Sequence, residues 1–145
     1  MGHTTVSIEG EKFLINGEPT YKGRSFRGYE IEGLLLNNRM VQATFDDENP
    51  DTCANWAYPD TGVWDPERNV TEFIEALPEY RAHGMLGVTV NFQGGNPKGY
   101  NRDQPWENNA FTPNGDLKPA YLDRMNRVLD AMDELGMVTV LGIFY

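Results

Sequence analysis

Cysteine and histidine are nearly absent from this chain. Its 145 residues include one cysteine, Cys53, and two histidines, His3 and His83. A single cysteine excludes an internal disulfide, and these three residues do not have the spacing of a zinc site. Residues 94–99 carry two glycines at the spacing of a phosphate-binding loop, but Tyr100 stands where that motif needs lysine. We therefore expect neither a metal nor a cofactor.

Positive charge and long apolar runs are also scarce. Twelve basic residues stand against 22 acidic ones, which gives a formal net charge of −10. Phosphate contacts need clustered lysine and arginine, so we expect no nucleic-acid partner. No apolar run approaches the roughly 20 residues that cross a membrane, so we expect no membrane partner. The segment Met1–Thr5 lacks the features of a signal peptide, which leaves a cytoplasmic protein and one secreted after leader removal both open.

Two short apolar runs predict buried strands. Met85–Phe92 and Met137–Phe144 are continuous apolar segments between turn signals, a pattern typical of strands buried on both faces in a parallel sheet. Arg39–Phe45 is a weaker run and predicts a strand before them. We therefore expect about three parallel strands in an α/β fold.

Helical periodicity fills the intervals between these strands. Asn69 is a candidate N-cap, Pro78 predicts a kink or a division into two short helices, and Gly84 predicts the helix end. Pro119 suits the first turn of a second helix, which Gly136 ends. The chain therefore alternates strand, helix, strand, helix and strand.

The first 26 residues predict a separate antiparallel element. Asn16 and Gly17 favour a type I′ turn, with Tyr21 on the returning strand. The three leucines at 34–36 predict a buried turn. Residues 1–26 are therefore assigned to an N-terminal β-hairpin. Residues 27–145 are assigned to the first βα units of a barrel, in one structural domain that we expect to be incomplete.

The connections between the predicted elements are unequal in length. Helices pass almost directly into strands at Gly84 and Gly136, whereas both strand-to-helix connections are long. A (β/α) barrel has this asymmetry, but a doubly wound sheet also places its ligands at the carboxyl ends of strands. In the doubly wound alternative, the third strand returns to the far side of the first. The last strand has no following helix, so we expect a missing C-terminal part of the barrel or a second copy to cover it.

The long loops contain all three tryptophans, Trp56, Trp64 and Trp106. Sugar rings place apolar C–H faces on aromatic side chains, and their hydroxyls need polar partners such as Asn91 and Gln93. The alternative is that the tryptophans pack their own loops as a satellite core. For the set as a whole we favour a carbohydrate cleft.

Two segments resemble a known superfamily. Phe13–Gly23, FLINGEPTYKG, is similar to the opening of cellulase-like and β-galactosidase-like (β/α)8-barrel glycoside hydrolases. Tyr121–Tyr145 is similar to their second helix and third strand. The resemblance implies a TIM-type barrel and a carbohydrate substrate. It covers about the first three-eighths of such a barrel, which needs roughly 250 residues.

The same resemblance implies where the chemistry lies. These hydrolases use two carboxylates, which lie on the fourth and seventh strands. This chain reaches only the third, so the catalytic residues stay unknown and we expect no hydrolysis by this chain alone. The candidate substrate-binding residues are Asp46, Asp47, Trp56, Trp64, Asn91, Gln93, Trp106 and Tyr145.

We therefore predict the N-terminal fragment of a glycoside hydrolase that contributes carbohydrate-binding loops without the catalytic pair. One alternative is a stand-alone, non-catalytic α/β module that binds glycans or assembles with itself. Another is a doubly wound α/β domain of unrelated function.

Overall fold

The computed structural model describes residues 2–94 and 106–143. In this part the chain is a mixed α/β structure with two α-helices and three small sheets, one of them parallel. The strands are β1 (Val6–Glu9), β2 (Lys12–Ile15), β3 (Glu18–Pro19), β4 (Ser25–Phe26), β5 (Tyr29–Glu30), β6 (Asn37–Arg39), β7 (Gly87–Asn91) and β8 (Val138–Gly142). The helices are α1 (Pro66–Ala82) and α2 (Pro119–Glu134), with a short 3₁₀ helix at Cys53–Trp56. The predicted α/β class, with three parallel strands and two helices, is confirmed.

Strands β1, β2 and β3 form an antiparallel sheet at the N-terminal end of the chain. Between β2 and β3, Asn16 and Gly17 have φ angles of 52° and 80°, the two positive angles that a type I′ turn requires. The predicted turn is therefore confirmed. Tyr21 lies beyond β3 and has a φ of 50°, so its placement on the returning strand is wrong. The returning strand ends at Pro19, because the chain turns away there.

The chain then forms a second, two-stranded antiparallel sheet from β4 and β5 and returns alongside β2. The backbone N–H of Phe13 donates to the carbonyl of Gly33 at 2.8 Å, which attaches the returning segment to the sheet. Leu34 and Leu36, which follow, are exposed, so the predicted buried turn is wrong. Backbone groups hold this segment in place, and these two leucine side chains are left in solvent.

Strands β6, β7 and β8 form the parallel sheet and lie side by side in chain order. The central strand β7 carries Val88 and Val90, both fully buried, as its apolar run predicts. The first strand is displaced from its predicted position. β6 ends at Arg39, and the segment 40–45 turns away after Met40 N donates to Thr89 O at 2.8 Å. The strand predicted at Arg39–Phe45 is therefore wrong, because its apolar residues pack a buried loop.

Helix α1 begins earlier than predicted. The side chain of Asp65 accepts hydrogen bonds from the backbone N–H groups of Glu67 and Arg68 at 3.0 and 2.9 Å, so Asp65 is the N-cap and the assignment of Asn69 is wrong. The helix continues through Pro78, so the alternative of two short helices is also wrong. A proline removes one N–H donor, and here it does not break the surrounding helix.

Helix α2 begins at Pro119, as predicted, and both helices end at glycines of positive φ. Gly84 after α1 has a φ of 89°, and Gly136 after α2 has a φ of 63°, so both predicted helix ends are confirmed. The two helices contact each other. The core joins them to β7 through the buried side chains of Val70, Leu77, Tyr121, Met125, Val128 and Met132.

The last strand, β8, is less buried than its apolar run predicts. Val140 is 41 % exposed and Leu141 is 36 % exposed, and Ile143 beyond the strand is exposed as well. In the described residues, β8 pairs only with β7. The described residues therefore leave apolar side chains and one edge of β8 exposed.

Candidate functional site

The carboxyl ends of the three parallel strands lie at one edge of the sheet, and two loops meet there. Phe45, which is buried, lies in the loop after β6 and packs against Gly94, two residues after Phe92. A Cβ atom added at Gly94 would come within 2.7 Å of the Phe45 ring. The contact therefore requires glycine, and it joins the loop after β6 to the segment after β7.

Phe45 also centres an aromatic cluster in the loop after β6. The Trp64 ring stacks on it with centroids 4.7 Å apart, and the Trp56 ring meets it edge-on at 4.6 Å. Tyr58 stacks on Trp64 at 6.1 Å, with the two ring planes 7° apart. Sequence reasoning placed Phe45 in a strand and missed this role. The aromatic spacing within the loop was the available signal.

Tyr58 is held by charged neighbours from helix α1. Its hydroxyl donates to Glu72 Oε2 at 3.1 Å, and the Arg68 guanidinium lies 3.8 Å from the centre of its ring. Burial and the Glu72 carboxylate raise the pKa of Tyr58 to about 12. The phenol therefore stays protonated at neutral pH and secures the cluster to α1.

Two consecutive aspartates hold the two tryptophans of this loop. The Trp64 indole N–H donates to Asp46 Oδ1 at 3.0 Å, and the Trp56 indole N–H donates to Asp47 Oδ2 at 3.0 Å. Each indole has therefore used its one donor within the protein. What these partly exposed rings can still offer a ligand is their apolar surface.

Asp47 is the most heavily bonded carboxylate of the site, and it is 3 % exposed. Its oxygens accept four hydrogen bonds, two on each oxygen. The donors are Asn49 N at 3.1 Å and Glu107 N at 3.2 Å on Oδ1, and Thr52 Oγ1 at 2.7 Å and Trp56 Nε1 at 3.0 Å on Oδ2. Because Glu107 belongs to the loop after β7, Asp47 connects the two loops at this edge of the sheet.

Asp46 faces a buried arginine of α2 that sequence reasoning did not select. Arg124 Nη2 lies 3.7 Å from Asp46 Oδ2, and Nη1 donates to Glu67 Oε1 at 2.9 Å. The Nε of Arg124 donates to the backbone carbonyl of Thr44 at 3.1 Å. The signal in the sequence was a single cation next to Met125, on the apolar side of a helix. Arg124 therefore fixes the loop after β6 to helix α2 and neutralises charge beside Asp46.

The two candidate amide side chains at the end of β7, Asn91 and Gln93, differ in their surroundings. Asn91 is buried, and its side chain lies over Gly142 of β8, where an added Cβ would collide with the amide oxygen. Gln93 is half-buried and pairs through its backbone with Asn109 in an isolated bridge. The two amides therefore occupy the same edge of the sheet as the aspartates.

Trp106 opens the described part of the second loop, next to Glu107. It is half-buried, and its indole N–H is buried and has no hydrogen-bond partner among the described residues. This distinguishes it from Trp56 and Trp64, whose N–H groups are bonded. Tyr145, the remaining candidate, lies outside the described residues.

Metal and membrane features can be tested directly on residues 2–94 and 106–143. Within these ranges no group of three or more histidine, cysteine, aspartate or glutamate side chains could hold a metal ion. None of the helices there combines the length and apolar character needed to cross a membrane. Comparisons of the chain with protein-family models, curated proteins and solved structures give no match.

Proposed function

We propose that this chain supplies the first three strands and the first two helices of a glycoside-hydrolase-type (β/α)8 barrel and that its carboxyl-edge loops bind carbohydrate. The observation that carries the proposal is the meeting of tryptophans and amides at the carboxyl edge of three consecutive parallel strands. In barrel enzymes the loops at this edge form the substrate site. The sequence resemblance to glycoside hydrolases points to the same class of ligand.

The strand order supports this architecture. A barrel needs neighbouring strands in chain order, and β6, β7 and β8 have that order. The order in which the third strand lies beyond the first is absent from the described sheet.

The aromatic cluster supports a carbohydrate as the ligand. Hydrogen bonds from Trp56 and Trp64 to Asp47 and Asp46 hold both rings in one orientation before any ligand arrives. Binding to such a preorganised surface costs little side-chain entropy. The loop-packing alternative explains the same contacts for these two residues, so Trp106, with its unpaired N–H, provides the sharper test.

The bonding of Asp47 supports binding without hydrolysis. A general base needs an oxygen within reach of the proton that it removes. Both Asp47 oxygens already accept two protein donors each. The carboxylate pair of the resembled family lies on later strands, so this segment is expected to position the sugar rather than cleave it.

Titration of the chain with neutral β-linked oligosaccharides of glucose, mannose and galactose tests the proposal by calorimetry or NMR. We expect binding of at least one series, and Trp106→Ala should weaken it about tenfold, the effect of losing about 1.4 kcal/mol of contact energy. The matched control is Tyr29→Ala, because Tyr29 is an aromatic residue that is 77 % exposed on β5.

Two results would contradict the proposal. One is the absence of binding by all three series at about 10 mM, which corresponds to less than about 3 kcal/mol of affinity. The other is equal affinity in Trp106→Ala and the unmodified chain. Turnover of an aryl glycoside that Asp46→Asn or Asp47→Asn abolishes would instead show that the chemistry is in this segment.

The second candidate function is assembly of the chain with itself. The exposed Val140 and Leu141 of β8 favour it, since an open apolar strand can pair with a second chain. Sedimentation equilibrium should then show a dimer that Leu141→Lys dissociates. A monomer at all accessible concentrations would remove this candidate.

A further inference from the structure

A second cleft lies at the opposite end of the parallel sheet from the candidate carbohydrate site. It has a volume of about 410 Å³ and lies between the N-terminal antiparallel sheet and the points where the chain enters β7 and β8. Its lining includes Tyr21, Leu86 and Gly136. The charged residues that line it are Arg24, Arg81, Lys22 and Glu18, and the last two are paired with each other at 2.6 Å. None of the candidate carbohydrate-binding residues lines this cleft.

Two arginines of this cleft lack carboxylate partners within the described residues. Most other cations there have one: the pairs are Lys12–Glu32, Lys22–Glu18, Arg68–Asp60, Lys118–Glu48, Arg124–Glu67 and Arg127–Glu67. Arg24 and Arg81 belong to no such pair. Arg27 also has no such pair among the described residues, but it does not line the cleft. The charges of Arg24 and Arg81 are therefore available to a ligand.

Tyr21 adds a polar group to the same cleft. Its φ of 50° is a left-handed conformation that a bulky residue rarely adopts, and such strain is often found at functional positions. Burial raises the pKa of the Tyr21 hydroxyl, while a backbone hydrogen bond from Leu86 and the charges of Arg81 and Arg24 act in the opposite direction. Tyr21 lines the same cleft as both arginines.

The partial charges of the helix ends do not account for both arginines. Helices α1 and α2 both end near this cleft, and each C-terminus carries about half a negative charge. Arg81 offsets part of this negative charge, because its Nε donates to the carbonyl of Leu135, just after α2, at 3.1 Å. That bond leaves the two terminal nitrogens of Arg81 for another acceptor. The Arg24 side chain has no hydrogen bond to another described residue, so its N–H donors can bind a ligand.

We propose that this cleft binds a small oxyanion, a carboxylate or phosphate group, between the guanidinium groups of Arg24 and Arg81 and beside the hydroxyl of Tyr21. Guanidinium groups present paired N–H donors that match the oxygens of both anions. The volume of the cleft admits a molecule larger than the anionic group itself. The site is independent of the proposed carbohydrate function, because it lies at the other end of the sheet.

NMR titration of the chain at constant ionic strength tests this site, with inorganic phosphate as one probe and citrate as the other. The signal to follow is the backbone amide of Leu86. Arg24→Gln should weaken anion binding about tenfold or more, the effect of losing one hydrogen bond to a charged group. The matched control is Arg27→Gln, because Arg27 packs on Phe26 and does not line the cleft.

Each result of this titration decides the proposal. A Leu86 shift that depends on Arg24 and not on Arg27 supports it, and the probe that produces the shift identifies phosphate or carboxylate as the ligand. No shift with either anion up to about 20 mM overturns it, since affinity would then be below about 2.5 kcal/mol. Equal weakening by Arg24→Gln and Arg27→Gln also overturns it, because that result indicates only diffuse attraction to positive charge.

Discussion

Removing the carboxylate of Asp47 should weaken the connection between the two loops of the candidate site. Asp47→Ala deletes one acceptor group that now receives four hydrogen bonds. Thr52 Oγ1 is a buried donor of this set, whereas water can reach the partly buried N–H groups of Trp56 and Glu107 after the substitution. The cost is therefore smaller than the sum of four buried bonds.

The structure sets the size of the effect. One buried donor left unpaired costs about 1–3 kcal/mol, and the three partly solvated donors together add about 1–2 kcal/mol. We therefore expect Asp47→Ala to lower the free energy of unfolding by about 3 kcal/mol. Asp47→Asn keeps an acceptor on one oxygen position only, so about half of this loss is expected.

Urea unfolding followed by tryptophan fluorescence measures this loss. A decrease of about 3 kcal/mol should move the midpoint down by about 1.5 M, for a slope of about 2 kcal/mol per molar urea. The matched control is Asp51→Ala in the same loop, because Asp51 is exposed and should change stability by less than about 0.5 kcal/mol. If Asp47→Ala costs no more than Asp51→Ala, the bonds at Asp47 do not hold the loops together.

Three further predictions concern other contacts. Gly142→Ala should lower the free energy of unfolding by about 1–3 kcal/mol, because the added Cβ meets the Asn91 side chain. Adding Asn91→Ala should restore most of this loss in urea unfolding, and failure of that rescue would exclude the clash. Arg124→Met should cost about 2–4 kcal/mol in the same assay and Arg127→Met less than about 1 kcal/mol, because Arg124 is buried between its acceptors; equal losses would contradict this. Hydrogen bonds from the backbone N–H groups of His3 and Thr4 lower the pKa of Asp133. The free energy of unfolding that Asp133→Ala removes should therefore be constant above the ordinary pKa of 3.8 and should vanish as pH falls through the lowered value. A loss that does not change with pH would refute this.

The features that were predicted correctly depend on single residues. Asn16 and Gly17 form the expected turn, Pro119 begins a helix, and Gly84 and Gly136 end helices. In each case the allowed backbone angles of one or two residues are enough to decide the outcome. The buried β7 was also predictable, because a short apolar run between turns has few other places in a soluble protein.

The features that were predicted wrongly depend on competition between similar residues. Asp65 and Asn69 are both good N-caps. In the structure Asp65 caps the helix, and the Asn69 side chain instead donates to the backbone carbonyl of Gln42 at 2.8 Å. Phe45 suits a strand or a buried loop equally well. Its place in the loop follows from the contact with Gly94, which is 49 positions later.

The sequence by itself determined the α/β class and the alternation of strands and helices. It also showed that tryptophans and aspartates lie together in the loop after the first parallel strand. Only the tertiary structure decided their partners. Asp46 faces Arg124, and Asp47 receives the N–H of Glu107, from segments that are distant in the chain. Short-range patterns cannot predict such pairs, because the acceptor that a donor finds depends on which segments the folded core brings together.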